Sequence, residues 1–255
     1  VSTSKAYRIQ NRRRVLIENS FTPKLRAEFS RMSAQVGRDY ADGGLERVNI
    51  GLNTHRANLQ VILDRLYFLS VESMTNYLND SFGKSYKPVL ETKGFIGAAW
   101  VRLRGVFNLY SLTQSTSIAE TTKEETAEII TRLGEEGLPE MEVAKAIVDK
   151  LKVRSISRAQ TIARTEVGYA LNRSQAELID ELDLPPMLKM WMSSPGKRTR
   201  KSHRRADNQK QERDQPFVVG GDKMMYPMDR GLGAAKKEII NCRCMMNHVM
   251  RPDDA

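Results

Sequence analysis

The chain has 255 residues, 40% of them hydrophobic, and sets 41 Lys or Arg against 31 Asp or Glu for a formal charge of +10. That apolar content supplies one large core or two modest ones and excludes a disordered chain. No apolar run approaches the roughly 18 residues of a membrane helix, the opening "VSTSKAYRIQNRRRV" lacks the apolar stretch of a signal peptide, and the surplus of positive charge favours an anionic partner such as nucleic acid or a membrane surface.

The first predicted element is a helix in "TPKLRAEFSRMSAQV", with Thr22 as N-cap, Pro23 at the first helical position, and Leu25, Phe29, Met32 and Val36 at helical spacing. "ADGGLERVNIG" breaks it. A longer helix from about Asn58 to Leu78 carries Leu59, Ile62, Leu63, Leu66, Tyr67, Met74, Tyr77 and Leu78 on one wide face. A third helix, with Phe95, Ala99, Leu103, Val106, Phe107 and Tyr110, offers that face a partner, so the N-terminal part reads as a small bundle.

After the polar stretch "SLTQSTSIAETT", Thr121 or Thr122 with Glu124 or Glu125 three residues on resembles a capping box opening the helix "KEETAEIITRL". "GEEGLP" turns the chain into "EMEVAKAIVDKL", an αα-hairpin. A DNA-reading helix-turn-helix is disfavoured here, because Glu124, Glu125, Glu128, Glu135, Glu136, Glu140 and Glu142 would face phosphates with the wrong sign. Ser157 is then a good N-cap for a long helix that Pro185 and Pro186 bring to an end.

Beyond those prolines the apolar residues come in the short clusters "MLKMWM", "PFVVGG", "KMMYPM" and "EIINCRCMM", which read as strands joined by turns and packed on the long helix. The fold class is therefore α+β, mainly α: an N-terminal helical bundle, a long helix and a small β-containing C-terminal unit. The expected division is 1–118 for the helical region and 119–255 for the rest, helical to about 183 and β-containing over 184–255.

Several motifs are tested and fail. Pro195-Gly196-Lys197 is followed by Arg198 where a phosphate-binding loop has Ser or Thr, and "GLGAAKK" at Gly231 to Lys237 lacks both the third glycine and the βαβ setting of a dinucleotide fingerprint. Glu166, Asp207 and His203 can be assembled on paper into an acid–base set, but no nucleophile elbow and no H-E-x-x-H accompany them, so no enzyme is expected.

Two clusters remain. Cys242 and Cys244 are the chain's two cysteines, too close in sequence for a stabilising disulfide. With His203 and His248 they make four donors of a type zinc accepts, although the Cys-x-Cys spacing departs from the usual Cys-x₂₋₄-Cys. Alternatively "IINCRCMM" is a strand, placing Ile240, Cys242, Cys244 and Met246 on one core face and Ile239, Asn241, Arg243 and Met245 on the other. No resident cofactor is expected, with zinc as the metal this donor set would take. The second cluster is Lys197, Arg198, Arg200, Lys201, Arg204 and Arg205, set after a Pro-Gly break where several can contact phosphates together. Trp191 is the only nearby ring and reads as buried, so contact with nucleic acid would be electrostatic and sequence-neutral. A solvated basic loop or a site for an acidic protein are the competing explanations.

"ARTEVGYALNRSQ" at Ala163 to Gln175, "LKMW" ending at Trp191, Arg200 and His203 in "RTRKSH", "PFVVGGDKMMYP" at Pro216 to Pro227 and "NCRC" at Asn241 to Cys244 resemble, in that order, the Mu F-like minor head proteins of tailed phages, the phage head morphogenesis family. Arg164, Thr165, Glu166, Trp191, Arg200, His203, Asn241, Cys242 and Cys244 fall on its pattern. The chain departs from it at Pro195-Gly196-Lys197, where members often carry an Asp. The resemblance implies a low-copy structural protein, made in the host cytoplasm and incorporated in the virion inside the head near the portal. Its implied partners are the portal protein, packaged double-stranded DNA, and scaffold or major capsid protein, and its implied tasks are head assembly and the handling or ejection of DNA. A sequence-neutral nucleic-acid-binding protein outside a virion, or a zinc-dependent nuclease-like enzyme, are the alternatives.

Overall fold

The computed structural model describes residues 3–82, 94–179 and 186–251. Three long helices dominate: α1 (Thr3–Phe82), α2 (Gly94–Glu135) and α3 (Glu140–Ile179). Seven short elements follow: β1 (Met187–Met192), α4 (Lys201–Arg205), β2 (Lys210–Gln211), β3 (Phe217–Val219), β4 (Asp222–Met224), α5 (Lys236–Ile239) and β5 (Met245–Met250). The protein is thus mainly α with a small β-containing C-terminal part. Among the described residues no helix is long and apolar enough to cross a membrane.

The long helices run through several expected breaks. Pro23 lies inside α1 and not at its start, because the helical burial pattern begins earlier, with Tyr7, Gln10, Arg14, Ile17 and Phe21 all buried. α1 is interrupted only at Gly43–Gly44, where Gly44 adopts φ 63 and ψ −155, a backbone conformation essentially reserved for glycine. The capping box at Thr121 or Thr122 does not form, because α2 passes straight through the Ser/Thr-rich stretch. There the hydroxyls bond back to their own helix: Thr113 Oγ1 to Leu109 O at 2.9 Å, Thr121 Oγ1 to Ser117 O at 2.9 Å, Thr122 Oγ1 to Ile118 O at 3.0 Å. Ser157 is likewise interior to α3, its Oγ donating to Arg154 O at 3.2 Å. The αα-hairpin is present as expected, with α2 ending in a turn in which Leu138 N–H donates to Leu133 O and Gly137 N–H to Gly134 O.

Two compact units make up the chain, and neither is continuous: one comprises residues 1–18, 66–104 and 164–255, the other 19–65 and 105–163. Residue 118 falls within α2, in the second unit. That unit is all helix. Arg158 holds it together by donating to Thr122 Oγ1 at 2.9 Å and Ile118 O at 2.8 Å while lying over the Phe29 ring, and Ser111 donates to Asp64 at 2.5 Å.

The first unit contains the sheet. Its order is β2-β1-β5, antiparallel throughout, with β1 central and paired to β5 from Met187↔Met250 to Met192↔Met245. β1 is buried along almost its whole length, which explains a run of "MLKMWM" without polar alternation. β3 and β4 form a separate hairpin around Gly220 and Gly221. Tyr67, Met74, Tyr77 and Leu78 of α1 are buried in this unit with Leu103 of α2, and Phe68 meets Trp100 edge-on at 5.0 Å. The third helix thus supplies the expected partner, although Val106 is 38% exposed and the side chains of Phe95 and Ala99 lie outside the described residues. α3 supports the sheet through Asn172, which donates to Cys244 O at 3.3 Å and accepts from Met246 N–H at 2.7 Å.

Candidate functional site

The segment "EIINCRCMM" is not one strand. It forms the short helix α5, a turn, and only then β5 from Met245. The turn is set by Asn241, whose φ of 63 reverses the chain. Two residues of α3 hold it: Asn241 N–H donates to Thr165 Oγ1 at 2.9 Å, and the Arg164 guanidinium donates to Asn241 Oδ1 at 2.5 Å. Cys242 and Cys244 therefore do not line a pleated face. They sit together in a tight loop, with Cys244 N–H donating to Cys242 Sγ at 3.3 Å.

His203 meets them from α4. One face of this five-residue helix is buried by His203 alone, which is 1% exposed, while Lys201, Arg204 and Arg205 are exposed. Its Nδ1 lies 3.3 Å from Cys244 Sγ and 3.4 Å from Cys242 Sγ. Its other nitrogen, Nε2, lies 2.8 Å from Glu238 Oε2, which also accepts from Ser202 Oγ at 2.9 Å. Trp191 packs edge-on against the imidazole at 5.7 Å and against Phe217 at 5.5 Å. Close approach is enforced from β3–β4 as well: a Cβ on Gly220 would come within 2.9 Å of Glu238 Oε1.

The Cys242 thiol is held well below its ordinary value, first by the hydrogen bond from Cys244 and then by His203 against the effect of burial. Burial and the neighbouring Cys242 push Cys244 well up. Burial, the largest influence on His203, disfavours its charged ring, yet Cys242 and Glu238 together outweigh it and the value is raised. The indole Nε1 of Trp191 has no ordinary hydrogen-bond partner but is near enough to the Cys244 sulfur to favour its thiolate.

His248 does not join the cluster. It sits on β5 opposite Lys189 and lines a different cavity, of about 280 Å³, with Lys189, Arg213 and Tyr226. Burial, with Arg213 and Lys189 nearby, lowers its value to about 3, so this ring stays neutral. Nor are Glu166, Asp207 and His203 assembled into an acid–base set. Glu166 accepts from Tyr67 and Arg230, both at 2.9 Å, and Asp207 accepts from Ser193 N–H at 2.7 Å.

The basic cluster divides. Arg200 is committed to the fold, its guanidinium donating to Ile240 O at 2.5 Å at the start of the cysteine turn. Lys197, Arg198, Lys201, Arg204 and Arg205 are exposed. Glu238 was invisible to sequence reasoning, since "KKEII" has no motif around it and its role arises only when α5 is laid beside α4.

Arg164, Thr165, Arg200, His203, Asn241, Cys242 and Cys244 thus form one connected polar knot tying α3, α4 and the cysteine turn together, while Glu166 bonds elsewhere. Residues 124–247 match the family model described as Phage Mu protein F like protein, and this segment is similar to that family. Nothing matches among curated proteins or among solved structures.

Proposed function

We propose that the protein is a minor head protein of a tailed phage, positioned inside the head near the portal vertex, where it contributes to head assembly and to the handling or exit of packaged DNA. The observation that carries this is the Mu F-like match across 124–247. The surface adds support. α4 turns His203 inward and Lys201, Arg204 and Arg205 outward, beside exposed Lys197 and Arg198. Such a patch suits phosphates of any base sequence. On this reading the protein's role is structural, in line with its Mu F-like segment.

Fractionation of infected cells tests the assignment. The protein is expected in purified heads and in complex with the portal oligomer of the same phage. Its absence from both would remove the virion role and leave a nucleic-acid-binding protein outside the particle.

A further inference from the structure

The head assignment leaves unexplained why two cysteines and a histidine converge in the interior. His203 Nδ1, Cys242 Sγ and Cys244 Sγ all lie within 4.8 Å of one another, in residues 1%, 2% and 1% exposed. Both cysteines are free. Two sulfurs and an imidazole nitrogen form a donor set that suits zinc, whereas magnesium and calcium require oxygen.

The surroundings fit a metal ligand in two further respects. Metal-bound imidazoles usually give their second ring N–H to a carboxylate, which fixes the tautomer and the ring plane. Here Glu238 Oε2 takes that place on Nε2 at 2.8 Å and is itself steadied by Ser202 Oγ. With the proton on Nε2, the Nδ1 lone pair points to the side where both sulfurs are found. The cysteine turn is also built ahead of any ligand: Thr165, Arg164 and Arg200 fix the backbone at Asn241 and Ile240 independently of the sulfurs.

We propose that His203, Cys242 and Cys244 bind one zinc ion per chain, with Glu238 as the positioning residue behind His203. The three protein ligands fill three of the four positions that zinc usually takes. Binding releases to solvent any proton the two thiols still carry, so uptake is accompanied by acidification of an unbuffered sample. The ion adds to the contacts of Arg200, Ser202 and His203 that already tie α4 to α5 and the turn before β5.

The test uses the full chain, reduced and stripped of metal, then loaded with zinc or cobalt(II) and desalted. Elemental analysis should find one zinc per chain, and the cobalt form should show thiolate-to-metal charge transfer in the near ultraviolet with tetrahedral bands in the visible. Because Cys244→Ser or His203→Ala can fail to fold, Glu238→Gln provides the second arm. It keeps every ligand, so the cobalt charge-transfer band should persist while zinc affinity, measured by competition with a chromophoric chelator, falls about 10- to 100-fold. The proposal is overturned by a loaded wild-type protein far below one zinc per chain or by a cobalt spectrum without thiolate bands. Unchanged zinc affinity in Glu238→Gln removes the positioning role. A Cys242–Cys244 disulfide in protein alkylated at lysis, before any reductant, would replace the metal with a redox pair.

Discussion

Glu28 is a carboxylate with no exposed surface, and it stays charged because its neighbours are arranged for it. Its oxygens engage His55 Nδ1 at 2.6 Å, Arg31 at 2.5 Å and Asn58 at 3.2 Å. Burial, the largest single influence, pushes its value up, but His55, Arg31 and Asn58 together lower it from 4.5 to about 2. A folded-state value below the unfolded one means that the ionised carboxyl stabilises the fold, fully above about pH 4.5 and progressively less as pH falls toward 2. The contribution at neutral pH is on the order of 3 kcal/mol. Urea denaturation should therefore show Glu28→Gln less stable than wild type at pH 7, with the gap closing between pH 4.5 and 2. A gap independent of pH would mean that the carboxylate charge contributes nothing. Trp191 makes a different case. It is fully buried against His203 and Phe217, and Trp191→Ala should cost about 3 to 5 kcal/mol, enough to yield protease-sensitive or insoluble protein. Full thermal stability in that variant would show the knot to be independent of its largest side chain.

Among the elements, the interruption of α1 rests on one backbone position. A Cβ at Gly44 would meet nothing within 4 Å, so the whole cost of Gly44→Ala is conformational, about 1–3 kcal/mol. Gly105 in α2 is equally open but has no positive φ, and Gly105→Ala should stabilise by about 0.5–1 kcal/mol. Denaturation midpoints of the two variants should move in opposite directions; a neutral Gly44→Ala would mean that α1 can straighten at no cost. The sequence makes such a break legible, because paired glycines have few other uses inside a helical pattern. It misleads at Thr121, Thr122 and Ser157, where residues that favour caps in isolation bond to carbonyls of a helix already running through them. β1 is readable as a buried apolar run, whereas the cysteine turn is not. Its alternation suggests a strand, and only the left-handed Asn241, held by Thr165, shows that the chain reverses there. The buried face of α1 before Phe21 is hidden for another reason, since Gln10 and Arg14 occupy core positions that a hydrophobic pattern leaves blank.

For the molecule as a whole, the excess of positive charge was plain in the composition, but its allocation was not. Arg200 is consumed by the fold while its neighbours remain at the surface. If Arg198, Lys201, Arg204 and Arg205 each displace one condensed counterion from duplex DNA, log affinity should fall against log salt with a slope of about −3.6 and little dependence on base sequence. Replacing those four by Gln should remove about that slope and leave stability nearly unchanged, because exposed charges contribute little to folding. The proposed portal association should survive the change if it uses the helical part. An unchanged slope combined with lost portal binding would identify the patch as a docking surface for protein.

The discontinuity of the two units has a bearing on synthesis. The all-helical unit is complete once residue 163 has been made, whereas the other draws on residues up to β5. Tyr7 Oη donates to Arg243 O and Gln10 Nε2 to Met246 O, each across 236 positions of sequence. During translation the opening turns of α1 must therefore wait for their partners, Arg243 and Met246, to be made. Closing such distant pairs is slow and leaves apolar surface available for wrong encounters.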